Sequence, residues 1–139
     1  MFEHILLAAD GSAHSLRAAE NAIHLVGGKE QSKVTIVYVV DGATSKSDVL
    51  RIGDSKDIAE KRKEKLKDIL TLLEKSSIAH ELKILHGDPG ETIVEFANNQ
   101  EFDCLVIGSR GLNSLQSMVL GGVSHKAAKR AKCPVMIVK

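Results

Sequence analysis

Four glycines in this chain stand where bare backbone can do chemistry. Gly108 follows an apolar run, Cys104 to Ile107, and Gly111 comes three residues later. After nine intervening residues, Gly121 and Gly122 precede a segment of helical character, about Ser124 to Lys132. The glycines thus fall at the C-terminal end of a strand and at the N-terminus of a helix. Backbone N–H groups converge on an anion at both places, and glycine lets the main chain come close with either sign of φ. The chemistry offered is phosphate binding by Gly108, Ser109, Arg110, Gly111, Gly121, Gly122, Val123 and Ser124, mostly through main-chain N–H. The ordinary alternative is that a loop after any strand needs turn residues, and glycine is the commonest. The second glycine pair, at a helix start, is what a plain turn does not require.

Other chemistries lack their residues. There is no Gly-x-x-x-x-Gly-Lys-Ser/Thr, no Gly-x-Gly-x-x-Gly after the first strand and no Gly-x-Ser-x-Gly elbow. The six histidines are scattered without metal-ligand spacing, and no cysteine pair accompanies them. A phospho-accepting receiver would need clustered acids, but strand one is followed by one acid and strand three ends in His86-Gly87. No nucleophile has a paired base and no two-metal site is assembled. No catalytic residue is assigned, and any hydrolysis is expected to be slow.

The elements that must carry the glycines follow from periodicity. His4 to Ala9 is an apolar run that reads as a strand covered on both faces. Asp10-Gly11-Ser12 ends it, and Ser12 is a natural N-cap. Leu16, Ala19, Ala22, Ile23 and Val26 then recur at helical spacing until Gly27-Gly28. Val34 to Val40 is a second strand rich in β-branched residues. Gly42 to Asp54 is polar and long for a connection, an idle loop or a lid. Ser55 to Ser76 reads as one helix with an apolar stripe of Ile58, Leu66, Ile69, Leu70 and Leu73. Its alternating lysines and glutamates make a solvated face rather than a nucleic-acid patch. Glu81 to Leu85 is the third strand. Asp88, Pro89 and Glu91 then offer an N-cap, a first helical residue and a capping box. Cys104 to Ile107 and Val135 to Val138 are the fourth and fifth strands. Five strands alternating with four helices predict an α/β fold, a parallel sheet with helices on both faces.

The bounds are those of one domain spanning residues 1–139, since 139 residues can bury a sizeable core. A net charge of +1 provides no broad field for nucleic acid or acidic lipid. The apolar runs are strand-length, too short to span a membrane. The first strand begins almost at once, with no basic and apolar leader before it. Cys104 and Cys133 read as free thiols, not a disulfide framework. A cytoplasmic protein is expected.

Gly-x-x-Gly, nine residues, then a glycine pair and a Pro-Val-x-x-Val ending resemble the nucleotide-binding branch of the universal stress protein family. The likeness extends over essentially the whole chain. It implies a Rossmann-like adenine nucleotide-binding fold with strand order 3-2-1-4-5, which would bring Asp10 and Gly108 to one crevice. It implies ATP as ligand, with AMP and ADP as alternatives, and a role as stress-response sensor or regulator. It places Ala9 and Asp10 by the ribose or phosphates, Asp10 also serving a phosphate-bound Mg²⁺. It assigns the backbone of Val39 to adenine. Taken alone, Asp10 equally well shapes the turn or caps the helix. The family also implies a homodimer through the last strands, and Val135 to Val138 would be an exposed edge if left unpaired. One departure is plain: the family has Ser or Thr where this chain has Gly122, and Ser124 matches a second hydroxyl position. Two other functions remain open: a dimeric interaction module without nucleotide, and a slow ATP hydrolase, for which phosphate release lost in Asp10→Ala beyond any loss of binding would speak. If the glycine loop holds phosphate, Gly111→Val abolishes nucleotide binding while circular dichroism shows the fold intact; unchanged affinity refutes the assignment.

Overall fold

The apolar runs become the strands of one sheet. In the computed structural model, which describes residues 2–27, 31–42, 55–110 and 122–139, β1 is His4–Ala8, β2 Lys33–Val40, β3 Ala79–His86, β4 Cys104–Gly108 and β5 Val135–Val138. All pair in parallel, in the order β3-β2-β1-β4-β5. The helices of the described residues are α1 Ala13–Val26, α2 Ser55–Lys65, α3 Lys67–Lys75, α4 Pro89–Asn99 and α5 Gly122–Arg130. Gly111 and Gly121, and the connection after Gly42, lie outside the described residues.

Alternation along the strands divides the core in two. Ile5, Leu7, Val34, Ile36, Cys104 and Val106 meet Ala18, Ala22, Ile69 and Leu73 of α1 and α3. On the opposite face Leu6, Ala8, Val37, Leu105 and Ile107 meet Ile93 and Ala97 of α4 and Ala127 of α5. The central strands are apolar on both sides because both faces are roofed by helices. Cys104 belongs to the first face and Cys133 packs on the second. They are free thiols, and burial raises both pKa values.

The signals that start and stop helices behave as chemistry predicts. The Ser12 hydroxyl accepts from the Ser15 N–H at 3.1 Å, and Gly27 closes α1 in the left-handed region at φ 62°. Asp88 accepts from the Glu91 N–H at 3.0 Å, with Pro89 at the first turn. Only that half of the capping box forms. The Glu91 carboxylate instead lies 3.8 Å from Lys126 Nζ, which also approaches Asp88 at 3.7 Å.

Periodicity predicts a single helix over Ser55 to Ser76, and the structure breaks it at Leu66. That residue has φ −100° and ψ 6°, and its N–H bonds back to Lys63, three residues away, at 3.0 Å. The tight turn sinks Leu66 fully into the core together with Ile69 and Leu73. Upstream, Ile58 is the only buried residue of α2 among those described, so no continuous apolar stripe is seen there to hold the two pieces in line. The last helix already includes Gly122 and Val123, ahead of its apolar pattern.

At the N-terminal ends of the strands, Asp103 clips β1 to β4. Its carboxylate accepts from the N–H groups of His4 at 2.8 Å and Glu3 at 2.9 Å. These two bonds hold the carboxyl below its usual range. A depressed folded-state pKa gives stability that is present above the unfolded pKa and lost as pH falls through the folded one. Asp103→Ala is therefore expected to lower Tm by a few degrees at pH 7. The gap between variant and parent should close as thermal melts are taken below about pH 4.

Candidate nucleotide-binding crevice

Strand order reverses between β1 and β4, because β1 connects through α1 to β2 on one side and β4 pairs on the other. Ligands of such sheets sit beyond the carboxyl ends of the strands at this point. The register Ala8↔Ile107 brings the next residues, Ala9 and Gly108, to the floor of the same crevice. Asp10 and Gly108 thus share one site, as the strand order implied by the resemblance requires.

Asp10 shapes its turn. Its Oδ1 accepts from the Ser12 N–H at 2.9 Å, an Asx arrangement that presents the start of α1. Gly11 has φ 86°, and a Cβ there would lie 2.9 Å from the Lys65 carbonyl. The end of α2 therefore rests on the β1–α1 loop, a contact the sequence does not announce. The Ala9 N–H reaches the Val37 carbonyl at 3.0 Å, the last rung between β1 and β2 among the described residues. Backbone direction alternates along a strand. The N–H and C=O of Val39 therefore point the same way as those of Val37, past the end of β1 and over the crevice. An adenine edge needs such a donor and acceptor pair.

The exit of β4 is packed from three directions. A Cβ on Gly108 would sit 2.7 Å from the His14 Cβ and 3.0 Å from its carbonyl carbon. Glycine at 108 thus serves the close approach of α1 to β4. The Ser109 N–H donates to the Val138 carbonyl of β5 at 2.7 Å. The buried Ser124 hydroxyl donates to the Ser109 carbonyl at 3.1 Å. Arg110 is half-buried beside them. His14, half-buried at the second position of α1, belongs to the site although the sequence reading passes over it. Its position just after the N-cap Ser12 is the signal that would have found it.

Within the described residues α5 runs from Gly122, so the Gly122 and Val123 N–H groups lie at the N-terminal side of this helix, where main-chain donors point outward. No acidic residue stands in that first turn, and Lys129 and Arg130 stand in the last, so nothing negative competes for an anion there. Lys126 is turned away toward Asp88 and Glu91. Gly122 is exposed, and among the described residues a Cβ would meet nothing within 4 Å. The two glycines thus do different work: one is demanded by packing, the other leaves room.

Elsewhere the described residues offer little. A groove of about 170 Å³ at the far end of the sheet is lined by His4, Lys33, Glu81, Lys83 and Phe102. Its charges answer one another: Glu81 lies 2.6 Å from Lys33 and 2.8 Å from Lys83, which pull its carboxyl down to about 2. Among the described residues no group of three His, Cys, Asp or Glu residues suits a metal ion, and no helix is long and apolar enough to cross a membrane.

Comparison with known proteins matches this arrangement. The model of the Universal stress protein family matches residues 1–139. The chain belongs to that family. Universal stress protein MJ0531 of Methanocaldococcus jannaschii is 33% identical over 145 residues, covering 100% of this chain and 83% of the relative. Universal stress protein YxiE of Bacillus subtilis is 32% identical over 150 residues and is covered in full, as is this chain. The solved structure of hypothetical protein MJ0577 superposes with a TM-score of 0.85 at 27% identity, covering 100% of this chain and 96% of that one. More distant members of the same Rossmann-like fold, at 22–23% identity, were solved with nucleotides. One was in complex with cAMP, the Arabidopsis thaliana protein had AMP bound and the Archaeoglobus fulgidus protein was in complex with dAMP. Their TM-scores are 0.74, 0.69 and 0.69, and each covers 98% or more of this chain and 90% or more of its own.

The contrast between the two glycines is testable. Gly108→Ala should destabilise by about 1–3 kcal/mol through overpacking against α1, whereas Gly122→Ala should leave the urea midpoint of this family member within experimental error. Equal midpoints for the two variants would contradict the packing described.

Proposed function

We propose that this universal stress protein binds an adenine nucleotide, ATP, in the crevice beyond β1 and β4, and acts as a stress-response sensor or regulator. The observation that carries the reading is the acid-free first turn of α5 beside the β4 exit, at the point where strand order reverses. Backbone N–H groups there suit phosphates, and the Val39 backbone is directed toward an adenine. The cAMP, AMP and dAMP held by distant members of the fold support the class of ligand. AMP and ADP are the alternatives to ATP at the same site.

Asp10 would sit by the ribose or a phosphate-bound Mg²⁺. A magnesium ion commonly takes one or two carboxylates and leaves the rest of its shell to phosphates and water. One Asp10 oxygen holds the Ser12 N–H, and this single carboxylate fits such an ion as an outer partner rather than as part of a protein cage. The protein would act in the cytoplasm, where two free thiols are at home. It would act as a homodimer through Val135–Val138. That strand ends the sheet among the described residues, and its four apolar side chains are only partly buried in one chain.

The specific observation favouring a second reading is Gly122, where a hydroxyl near the phosphates is missing. An interaction module of the same fold would tolerate that loss. The decisive measurement is to denature the purified protein, chromatograph the released small molecules and titrate ATP into the emptied chain. Released ATP or a saturable titration is expected, with affinity raised several-fold in Gly122→Ser, which adds one hydrogen bond near the phosphates at a position with space for it. An empty chain with no titration would establish the module instead.

A further inference from the structure

The hydroxyl of Ser124 has a task other than meeting a ligand. It lies in the first turn of α5, is 2% exposed, and donates to the Ser109 carbonyl at 3.1 Å across fifteen residues of chain. Ser109 is itself buried, and its N–H is committed to the Val138 carbonyl at 2.7 Å. One residue earlier, Gly108 is closed off by His14 of α1. The peptide groups on either side of Ser109 are therefore held by β5 on its N–H and by α5 on its C=O. α1 blocks sideways movement at Gly108.

Each hold comes from a different element, and among the described residues the one through Ser124 ties the first turn of α5 to the strand end beside it. We propose that Ser124 is a positioning residue. Its hydroxyl latches the first turn of α5 to the exit of β4, fixing the distance between that turn and the strand end that together border the crevice. The role rests on the nucleotide reading, and it moves the Ser124 hydroxyl from the ligand's shell to the frame behind it.

A latch and a direct contact make opposite predictions across a ligand series. A hydroxyl touching the terminal phosphate would matter for ATP and not for AMP. A latch that sets the spacing of the whole cradle matters for every phosphate-bearing ligand and not for adenosine. Removing the donor also leaves the buried Ser109 carbonyl without the bond from α5, which loosens the strand end whether or not a nucleotide is present.

The experiment compares the parent chain with Ser124→Ala and Ser124→Cys, the second keeping nearly the same shape with a much weaker donor. Calorimetric titration with ATP, AMP and adenosine is run beside hydrogen exchange of the ligand-free proteins. Both variants should lose roughly tenfold or more in affinity for ATP and AMP alike, keep the parent's adenosine binding, and exchange faster at Ser109 and Arg110. Parent-like exchange and affinity in Ser124→Cys would overturn the latch, as would a loss confined to ATP. Both of those outcomes leave the nucleotide reading standing. A parent chain that binds none of the three overturns that reading and this role together.

Discussion

The approach of α1 to β4 at Gly108 is the constraint from which the rest of the site follows. No side chain fits between the strand end and His14, so α1 is drawn down onto the sheet at the place where the strand order reverses. That contact sets the tilt of the β1–α1 loop, and with it the position of Asp10. The same strand end is paired to β5 through Ser109. The β1–α1 loop and the exit of β4, from distant parts of the chain, are thereby fixed relative to each other before any ligand arrives, which is the condition for binding without a large ordering cost.

The electrostatics of the crevice are mainly those of the backbone. Acidic side chains are kept out of the first turn of α5, and the nearby Lys126 is drawn toward α4 by Asp88 and Glu91. A main-chain cradle recognises the geometry of a phosphate and is insensitive to side-chain identity along much of its length. The charged side chains that do pair, such as Glu81 with Lys33 and Lys83, lie exposed at the other end of the sheet. Solvent screens them there, and they contribute little to holding the fold.

Much of the fold was legible from the chain itself. Continuous apolar runs marked the strands because both faces are covered, and Ser12, Gly27, Asp88 and Pro89 marked helix ends through local hydrogen bonding that needs no tertiary context. Strand order was not legible from pattern; it came from the family's glycine spacing. The break at Leu66 escaped because a stripe of apolar residues shows which face is buried, but not whether two stretches sharing it are collinear. The start of α5 escaped for a related reason: Gly122 and Val123 weaken a helical pattern that the tertiary structure enforces. In the site, the Asx turn of Asp10 could be foreseen from residue type. The dependence of Gly108 on His14, and of Gly11 on Lys65, could not, since each is a contact between segments that sequence does not order in space.

The break at Leu66 makes the stability of the molecule uneven. α3 is anchored by Leu66, Ile69 and Leu73, but the described part of α2 is held by Ile58 and by the Lys65 carbonyl resting on Gly11. Among the described residues α2 contributes a single buried apolar side chain to the core, where α3 contributes two, and an element with fewer buried apolar contacts is expected to open at lower free energy than the core. Since its inner end bears on the loop that carries Asp10, α2 is mechanically in series with the crevice. A partner that captured α2 in its detached form would be felt at Asp10 without touching the sheet.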